Sequence, residues 1–476
     1  MKKVLSLILV LALFANTMVF ATGASELASK KEAITLDWWD QYMTLESTHQ
    51  KIFDEYEAET GNHVAYQGYE GSSFKEALDL AIRSGQSPDI FSNIWGTNNI
   101  VQKYHEGVLA PMTIKIEDLP EYIQSELYEG FCIFDGEVYS FPTQAKNHSA
   151  LLWYDNEKVN EEDIPATLSE LREFFKSITD PSKNQYAIAL PMADASRINK
   201  NICYVIAASG GFREMNPNTG YYEYDSDIAK AVMKWFIDIY QDGSVHPAST
   251  TLKTKTVRER FGNGEAGFAM DGVWYPGSIK TAFGTDPLPR LGVVGTPVLD
   301  AELAEEKGMI GTNPLSGTFY ISSSCEDPEA ATQLLLKLLD DQYSIDMAAA
   351  MDQPPVKTEA IAKADVVDVY AEACAINESE MGYYPNPLIR NPETGNVTAE
   401  MNTIKPDLGD IFIGYVTGGI TDWEKAMEEY NAKMNAELDR AIAECKAQGI
   451  NVDHSDYVFP NFVPGQSYTL DKYSEL

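Results

Sequence analysis

The sequence FGNGEAGFAMDGVWYPGSI, residues 261–279, runs from a helical pattern through glycines into a short β-prone segment and then into an abrupt Asp271-Gly272 turn. Residues 262–267 match G-x-G-x-x-G letter for letter. A dinucleotide fingerprint has its strand before the glycines and its helix after them, so that the helix N-terminus meets the pyrophosphate. Here residues 257–261 have the helical pattern and 267–270 the β-prone one, so the order is reversed and the glycines read as a helix-to-strand turn. Gly272 permits a tight turn, and Pro276-Gly277 is expected to stop regular structure beyond it. The segment therefore predicts an aromatic pair, Trp274 and Tyr275, held on a stiff corner where a flat, polar ligand can stack.

Working outward, the chain alternates strands and helices. Residues 34–39 read as a strand, followed by a helix from about Glu46 with Leu45, Ile52, Phe53 and Tyr56 on one stripe, stopped by Gly61. A strand at 63–66, a helix carrying Phe74, Leu78 and Ile82, and a strand at 89–91 continue a β-α-β rhythm, which predicts a parallel sheet covered by helices. In the first strand Ile34, Leu36 and Trp38 share a face, which leaves Trp39 as the exposed tryptophan. Asp135-Gly136 between β-prone residues signals a hairpin. Further strands are expected at 150–154, 186–190, 291–294 and 318–322, with amphipathic helices at 168–178 and 226–240. Residues 383–396, rich in proline and asparagine, read as an irregular surface loop, and a last long helix carries Trp423, Met427, Tyr430, Leu438, Ile442 and Cys445 on one stripe.

A chain of 476 residues exceeds one hydrophobic core, so two or more domains are expected. Seventy-two Asp and Glu against 36 Lys and Arg give a formal charge of −36, a field that repels nucleic acid and anionic membranes. Lys2-Lys3 followed by an apolar run at 4–14 and Ala21 reads as a signal peptide, residues 1–21, cleaved on export. The first cysteine is Cys132, so no lipobox cysteine stands at the cleavage point to carry a lipid anchor, and the destination is extracytoplasmic, the periplasm or cell surface. The five cysteines are widely spaced and read as buried single thiols, with room for one bridge. Six scattered histidines show no metal-ligand spacing, and neither a G-x-S-x-G elbow nor a P-loop is present. No catalytic residue, metal or cofactor is therefore expected. The carboxylates are too plentiful for a glycosidase pair to stand out.

Six short motifs occur in one order: 53–57 ahead of Gly61, Ser-Gly-Gln-Ser-Pro-Asp-Ile at 84–90, Gly-Val-Leu-Ala-Pro-Met at 107–112, Asp-Gly-Glu-Val-Tyr-Ser-Phe-Pro at 135–142, Leu-Trp-Tyr-Asp-Asn at 152–156, and 261–274. This series resembles the extracellular solute-binding proteins of bacterial ABC importers, the sugar-binding family 1 that includes maltose-binding protein. The resemblance implies a type II-like periplasmic-binding-protein fold: two α/β lobes, hinge crossings between them, and a ligand cleft at their interface. The first lobe would take 25–145 plus 295–345, and the second 146–294 plus 346–476 with the C-terminal helices. It implies capture of a mono- or oligosaccharide by aromatic stacking and polar contacts, with delivery to the transmembrane subunits of a permease by a monomer.

Ligand contacts are expected at the ends of strands, where open α/β sheets bind their ligands. Trp39, Asp40, Trp95 and Trp274 sit at such ends; the resemblance implies polar sugar contacts at Asp40 and Gln41 after the first strand and an aromatic contact near Trp95 after the third, with Asn93 beside it. Lys146 and His148 lie at the first crossing, where the family's carboxylate has no counterpart here. Arg197 in a loop and the pair Trp274 and Tyr275 complete the set. Two other functions share these features: a secreted enzyme acting on polysaccharide, and a ligand-sensing partner of a membrane receptor.

Overall fold

Alternation along Thr35–Asp40 turns Leu36, Trp38 and Asp40 inward and Thr35 and Asp37 outward, the period of a half-buried strand. The computed structural model describes residues 33–69, 71–95, 97–305 and 309–476, so the expected signal peptide lies outside the described residues. Thr35–Asp40 pairs in parallel with His63–Gly68 on one side and Ile90–Ser92 on the other. Phe319–Ser322 then joins antiparallel to Ile90–Ser92 and to Leu109–Ala110, closing a five-stranded sheet. The helix Glu46–Thr60 buries Ile52, Phe53 and Tyr56 against this sheet and ends where Gly61, at φ 77°, turns left-handed and donates to the Glu57 carbonyl.

A second sheet has the order 291–294, 151–155, 266–271, 186–189. Leu151–Asp155 runs antiparallel to both Leu291–Val294 and Ala266–Asp271, and only Tyr186–Ala189 pairs in parallel. The predicted parallel pairing holds for the first three strands of the chain, whereas this sheet is mixed. Every residue of Leu151–Asp155 and Ala266–Asp271 is buried, because helices cover both faces. One core gathers side chains from 36–141, 319–347 and Leu388. Another gathers 150–298, Ile310, Met381 and 408–430.

Between the sheets three segments run side by side. Thr143 N–H donates to the Thr318 hydroxyl at 2.8 Å, Thr318 N–H to the Phe141 carbonyl at 3.1 Å, and Val356 N–H to the Thr143 carbonyl at 2.9 Å. Two expectations fail nearby. Residues 383–396 are no surface loop: Met381–Tyr383 is a strand paired with Ile310–Thr312, and Tyr384, Leu388 and Val397 are buried. Proline and asparagine there mark helix starts and caps, such as the Asn386 side chain accepting from Leu388 N–H, rather than exposure. Likewise Pro276 does not end regular structure but sits in the first turn of the helix Tyr275–Phe283, where its missing N–H is no loss. All five cysteines are buried and free, so no bridge forms.

The helix Ala195–Ala208, capped by the Asp194 carboxylate, packs against the helix Leu408–Val416. The contact is closest at Gly409, where an added Cβ would overlap the Ala195 carbonyl and lie 2.7 Å from Asn199 N. Both obstacles are backbone and have no rotamer to yield. Gly409→Ala is expected to cost about 1–3 kcal/mol through overpacking, read as a lower urea midpoint; an unchanged midpoint would show that the two helices slide apart freely.

Candidate functional site

Ala266–Asp271 ends in a buried carboxylate. Asp271 Oδ2 accepts from Arg258 Nε at 2.8 Å, and Oδ1 accepts from Arg197 Nη2 at 2.8 Å, Arg258 Nη2 at 3.2 Å and Gly272 N–H at 2.7 Å. Burial alone pushes this carboxyl up, but Arg258 and then Arg197, with the Gly272 N–H, outweigh burial and hold it below the ordinary carboxylate value. The turn at Gly272 folds the Trp274 indole back over its own backbone; a Cβ at 272 would overlap the ring. Half-buried Trp274 then lies 5.6 Å from the Arg197 guanidinium, a cation–π contact.

Arg197, Lys200 and Tyr204 stand three and four residues apart on Ala195–Ala208 and therefore share a face. That face meets the first crossing: Arg197 Nη2 donates to the Ser149 carbonyl at 2.8 Å and the Tyr204 hydroxyl to the Asn147 carbonyl at 3.2 Å. Arg213 stacks on the Tyr204 ring at 4.9 Å. Together Lys146, Asn147, Lys200, Tyr204, Arg213 and Trp274 line a recess of about 390 Å³, closed on its far side by residues 312–316. This is a cleft at the crossing between the two sheets, large enough for a small ligand. A smaller cavity, about 140 Å³, lies on the C-terminal segment among Tyr384, Leu438 and Phe459, apart from both sheets. Among the described residues no group of side chains has the makings of a metal site.

The expected contacts distribute unevenly. Lys146 and Trp274 line the cleft, and Arg197 backs the Trp274 ring, on a helix rather than in a loop. Asn93 reaches its rim, donating to Ser316 Oγ at 3.3 Å, and Gln41 stands behind it, donating to the Asn93 carbonyl at 2.6 Å. Trp39 is half-buried against Tyr69, 5.1 Å between rings, while Trp38 is the buried partner, as their alternation predicts.

Four expected contacts are misplaced. Asp40 is fully buried, 2.9 Å from His49 Nδ1, because the strand's inward phase includes it. Trp95 is buried against Phe91 with its indole N–H on Asp79 at 2.9 Å, facing the helices instead of the cleft. Tyr275 packs fully buried between Trp153 and Phe261 because the helix beginning there turns it inward. His148 is also buried, its Nε2 3.0 Å from Glu380 and 2.9 Å from Thr296 Oγ1, and it braces the crossing. The structure adds Lys200, Tyr204 and Arg213 to the lining and Asp271 behind it. The three-and-four spacing from Arg197 is the signal that finds Lys200 and Tyr204; Asp271 hides as an ordinary turn residue.

Two mixed α/β lobes with a ligand-sized recess at their crossing define a binding protein of the two-lobed periplasmic class. The chain belongs to the family of bacterial extracellular solute-binding proteins, whose sequence pattern matches residues 51–373. A maltotriose-binding protein of Pyrococcus abyssi (strain GE5 / Orsay) is 28% identical over 228 residues, 46% of this chain and 45% of the relative, so under half of that protein's length is matched. Among solved structures, the GacH receptor of Streptomyces glaucescens GLA.O superposes with a TM-score of 0.65 at 13% identity, covering 86% of this chain and 99% of the receptor. A solute-binding protein of Thermotoga lettingae TMO bound to α-D-tagatose gives 0.63 at 16% identity, covering 85% and 100%. The maltotriose-binding protein of Thermus thermophilus gives 0.61 at 16%, covering 86% and 100%. These likenesses establish the fold. The family and these neighbours are binding proteins rather than enzymes, and membership of an extracellular family makes this an exported protein. No helix among the described residues is long and apolar enough to cross a membrane.

The neighbours Trp274 and Tyr275 are expected to separate in a stability assay. Tyr275→Ala empties a buried site and should cost about 3–5 kcal/mol, whereas Trp274→Ala at the cleft should cost about 1–2 kcal/mol; equal losses in urea unfolding would place both in the core. Asp271→Asn leaves two guanidiniums without their carboxylate and should cost about 3–5 kcal/mol at pH 7. Because the folded pKa of Asp271 is depressed, that contribution is present above about pH 3.9, the unfolded value, and fades as pH falls through the folded one. The gap between wild type and variant should therefore narrow in unfolding at pH 3; a constant gap would mean the pairing is not electrostatic.

Proposed function

We propose that this chain is the substrate-binding subunit of an ABC importer, capturing a mono- or oligosaccharide in the crossing cleft and delivering it to transmembrane permease subunits. The observation that carries this reading is the half-buried Trp274 indole at a recess whose other walls offer hydrogen-bonding groups from Lys146, Asn147, Asn313 and Ser316. A sugar ring presents an apolar face to such an indole and hydroxyls to such a rim. The names of relatives point the same way, since two of them bind maltotriose. Residues 1–21 would be removed on export, and the mature chain would act as a monomer.

In this reading the lobes take 25–145 plus 295–345 and 146–294 plus 346–476, adjusted at one point: Val298 and Ile310 go with the second lobe, because they pack in its core. Asn93, through Ser316, brings the first lobe to the cleft, so a ligand touching both sides favours the closed form by its differential contacts. A thermal-melt and tryptophan-fluorescence scan against mono-, di- and trisaccharides tests the function. A saturable shift is expected, equivalent to about 2.7 kcal/mol at a hundred times the dissociation constant, and Trp274→Ala should weaken it at least tenfold. Silence toward every saccharide, with a response to peptides or polyamines instead, would refute the reading.

A further inference from the structure

The wall of the crossing cleft has a charge opposite to that of the chain. Acidic residues outnumber basic ones 72 to 36, yet the lining holds Lys146, Lys200 and Arg213 and not one Asp or Glu. Such an inversion does not arise from solvating the surface, for which this chain uses acids.

The cations are incompletely neutralised. Lys146 donates to the Met381 carbonyl at 3.3 Å and stands 3.7 Å from the mostly exposed Glu378. Arg213 pairs at 3.1 Å with Glu214, which is half exposed outside the cleft, and its buried Nε has no hydrogen-bond partner. Arg197 is committed through Nη2 to Asp271, a carboxylate it shares with Arg258, and its Nε is likewise buried without a partner. Lys200, open to solvent along the cleft, makes no hydrogen bond or ion pair among the described residues. Four of these cations thus share three carboxylates at ion-pair distance, and Lys200 has none. Although one flank of Lys200 stays exposed, desolvation by the protein packed around its ammonium is the main cause that lowers its pKa to about 8; Arg197 and Arg213 add to it and Asp271 acts the other way.

Strain of this kind is what a binding site for an anion holds before its ligand arrives. We propose that the saccharide bound in this cleft carries an anionic substituent, a carboxylate, sulfate or phosphate, received by Lys200 and Arg213, with Lys146 also on the lining, while a sugar ring lies on Trp274. This rests on the saccharide reading above and narrows its ligand class. Arg213, beside the ring of Tyr204, offers the planar fork that suits a carboxylate, and Lys200 offers a mobile point charge.

The test is titration calorimetry at pH 7 with the full mature chain. The probes are di- and trigalacturonate, their methyl esters, maltotriose, glucose 6-phosphate, a sulfated disaccharide, and inorganic phosphate and sulfate. At least one charged sugar is expected to bind, with its neutral counterpart at least tenfold weaker; which one binds identifies the anion. Lys200→Gln should lose roughly ten- to hundredfold for that sugar, and since Lys200 makes no hydrogen bond or ion pair its circular dichroism and melting point should stay close to wild type. Wild-type affinity should hold up to about pH 8 and decline above it as Lys200 deprotonates, a decline absent from Lys200→Gln. Tight binding of maltotriose, equal in wild type and Lys200→Gln, would overturn the charge inference and leave the saccharide reading standing. Failure of every sugar would overturn both, and inorganic phosphate or sulfate binding as tightly as any sugar would show an anion site instead of a saccharide site.

Discussion

The Asp271 carboxylate, buried at the end of Ala266–Asp271, accepts four hydrogen bonds from Arg258, Arg197 and Gly272. Through them it ties one of the two interior strands of the second sheet to two helices and to the turn that carries Trp274. Its two guanidinium partners differ in task. Arg258 lies on the helix Thr254–Gly262 and mainly offsets the cost of burying the charge, while Arg197 reaches onward to the Ser149 carbonyl and to the Trp274 ring. One buried ion therefore sets the position of a strand end, a crossing segment and an indole. Without it, the aromatic at the cleft would have a turn to sit on but nothing to fix its angle.

The crossing is held by equally specific polar chemistry. His148 sits between Glu380 and Thr296, and the Asn377 side chain accepts from His148 N–H at 2.6 Å while donating to the Lys146 carbonyl at 2.8 Å. Hydrogen bonds from backbone N–H groups among the segments near 143, 318 and 355 complete the join. These bonds run between passes of the chain that are distant in sequence, so the cleft floor forms only once all three passes are in place. Part of the lining is positioned from behind in the same way: Tyr204 donates to the Asn147 carbonyl and Arg213 pairs with Glu214, whereas Lys200 has no such partner.

Much of this was legible in the residues and some was not, for identifiable reasons. Alternation placed Trp38 inside and Trp39 at the edge. The order of helix and strand around 262–267 removed the nucleotide reading, and Asp135-Gly136 formed its hairpin with both residues at positive φ, 52° and 79°. These are local signals, and local geometry obeys them. Asp40, Trp95, His148 and Tyr275 are buried away from the recess, since polarity or aromatic character near a strand end does not say which way the next turn rotates a side chain. That rotation depended on a helix starting at Tyr275, on a partner histidine at position 49 and on a glutamate at position 380. The cationic face of Ala195–Ala208 was written in the spacing of 197, 200 and 204, yet its meaning came only from what it faces.

The free thiols have a consequence outside the binding chemistry. Burial raises the pKa of Cys203, Cys325 and Cys374 to about 12, so these sulfurs stay protonated and closed to solvent oxidants. No covalent crosslink among the described residues fastens one half of the molecule to the other. An exported protein built this way takes its final form without oxidative folding catalysts, and the redox state of its surroundings does not alter its cohesion. Aerated and anoxic environments present it with the same task, and non-covalent contacts alone must answer it.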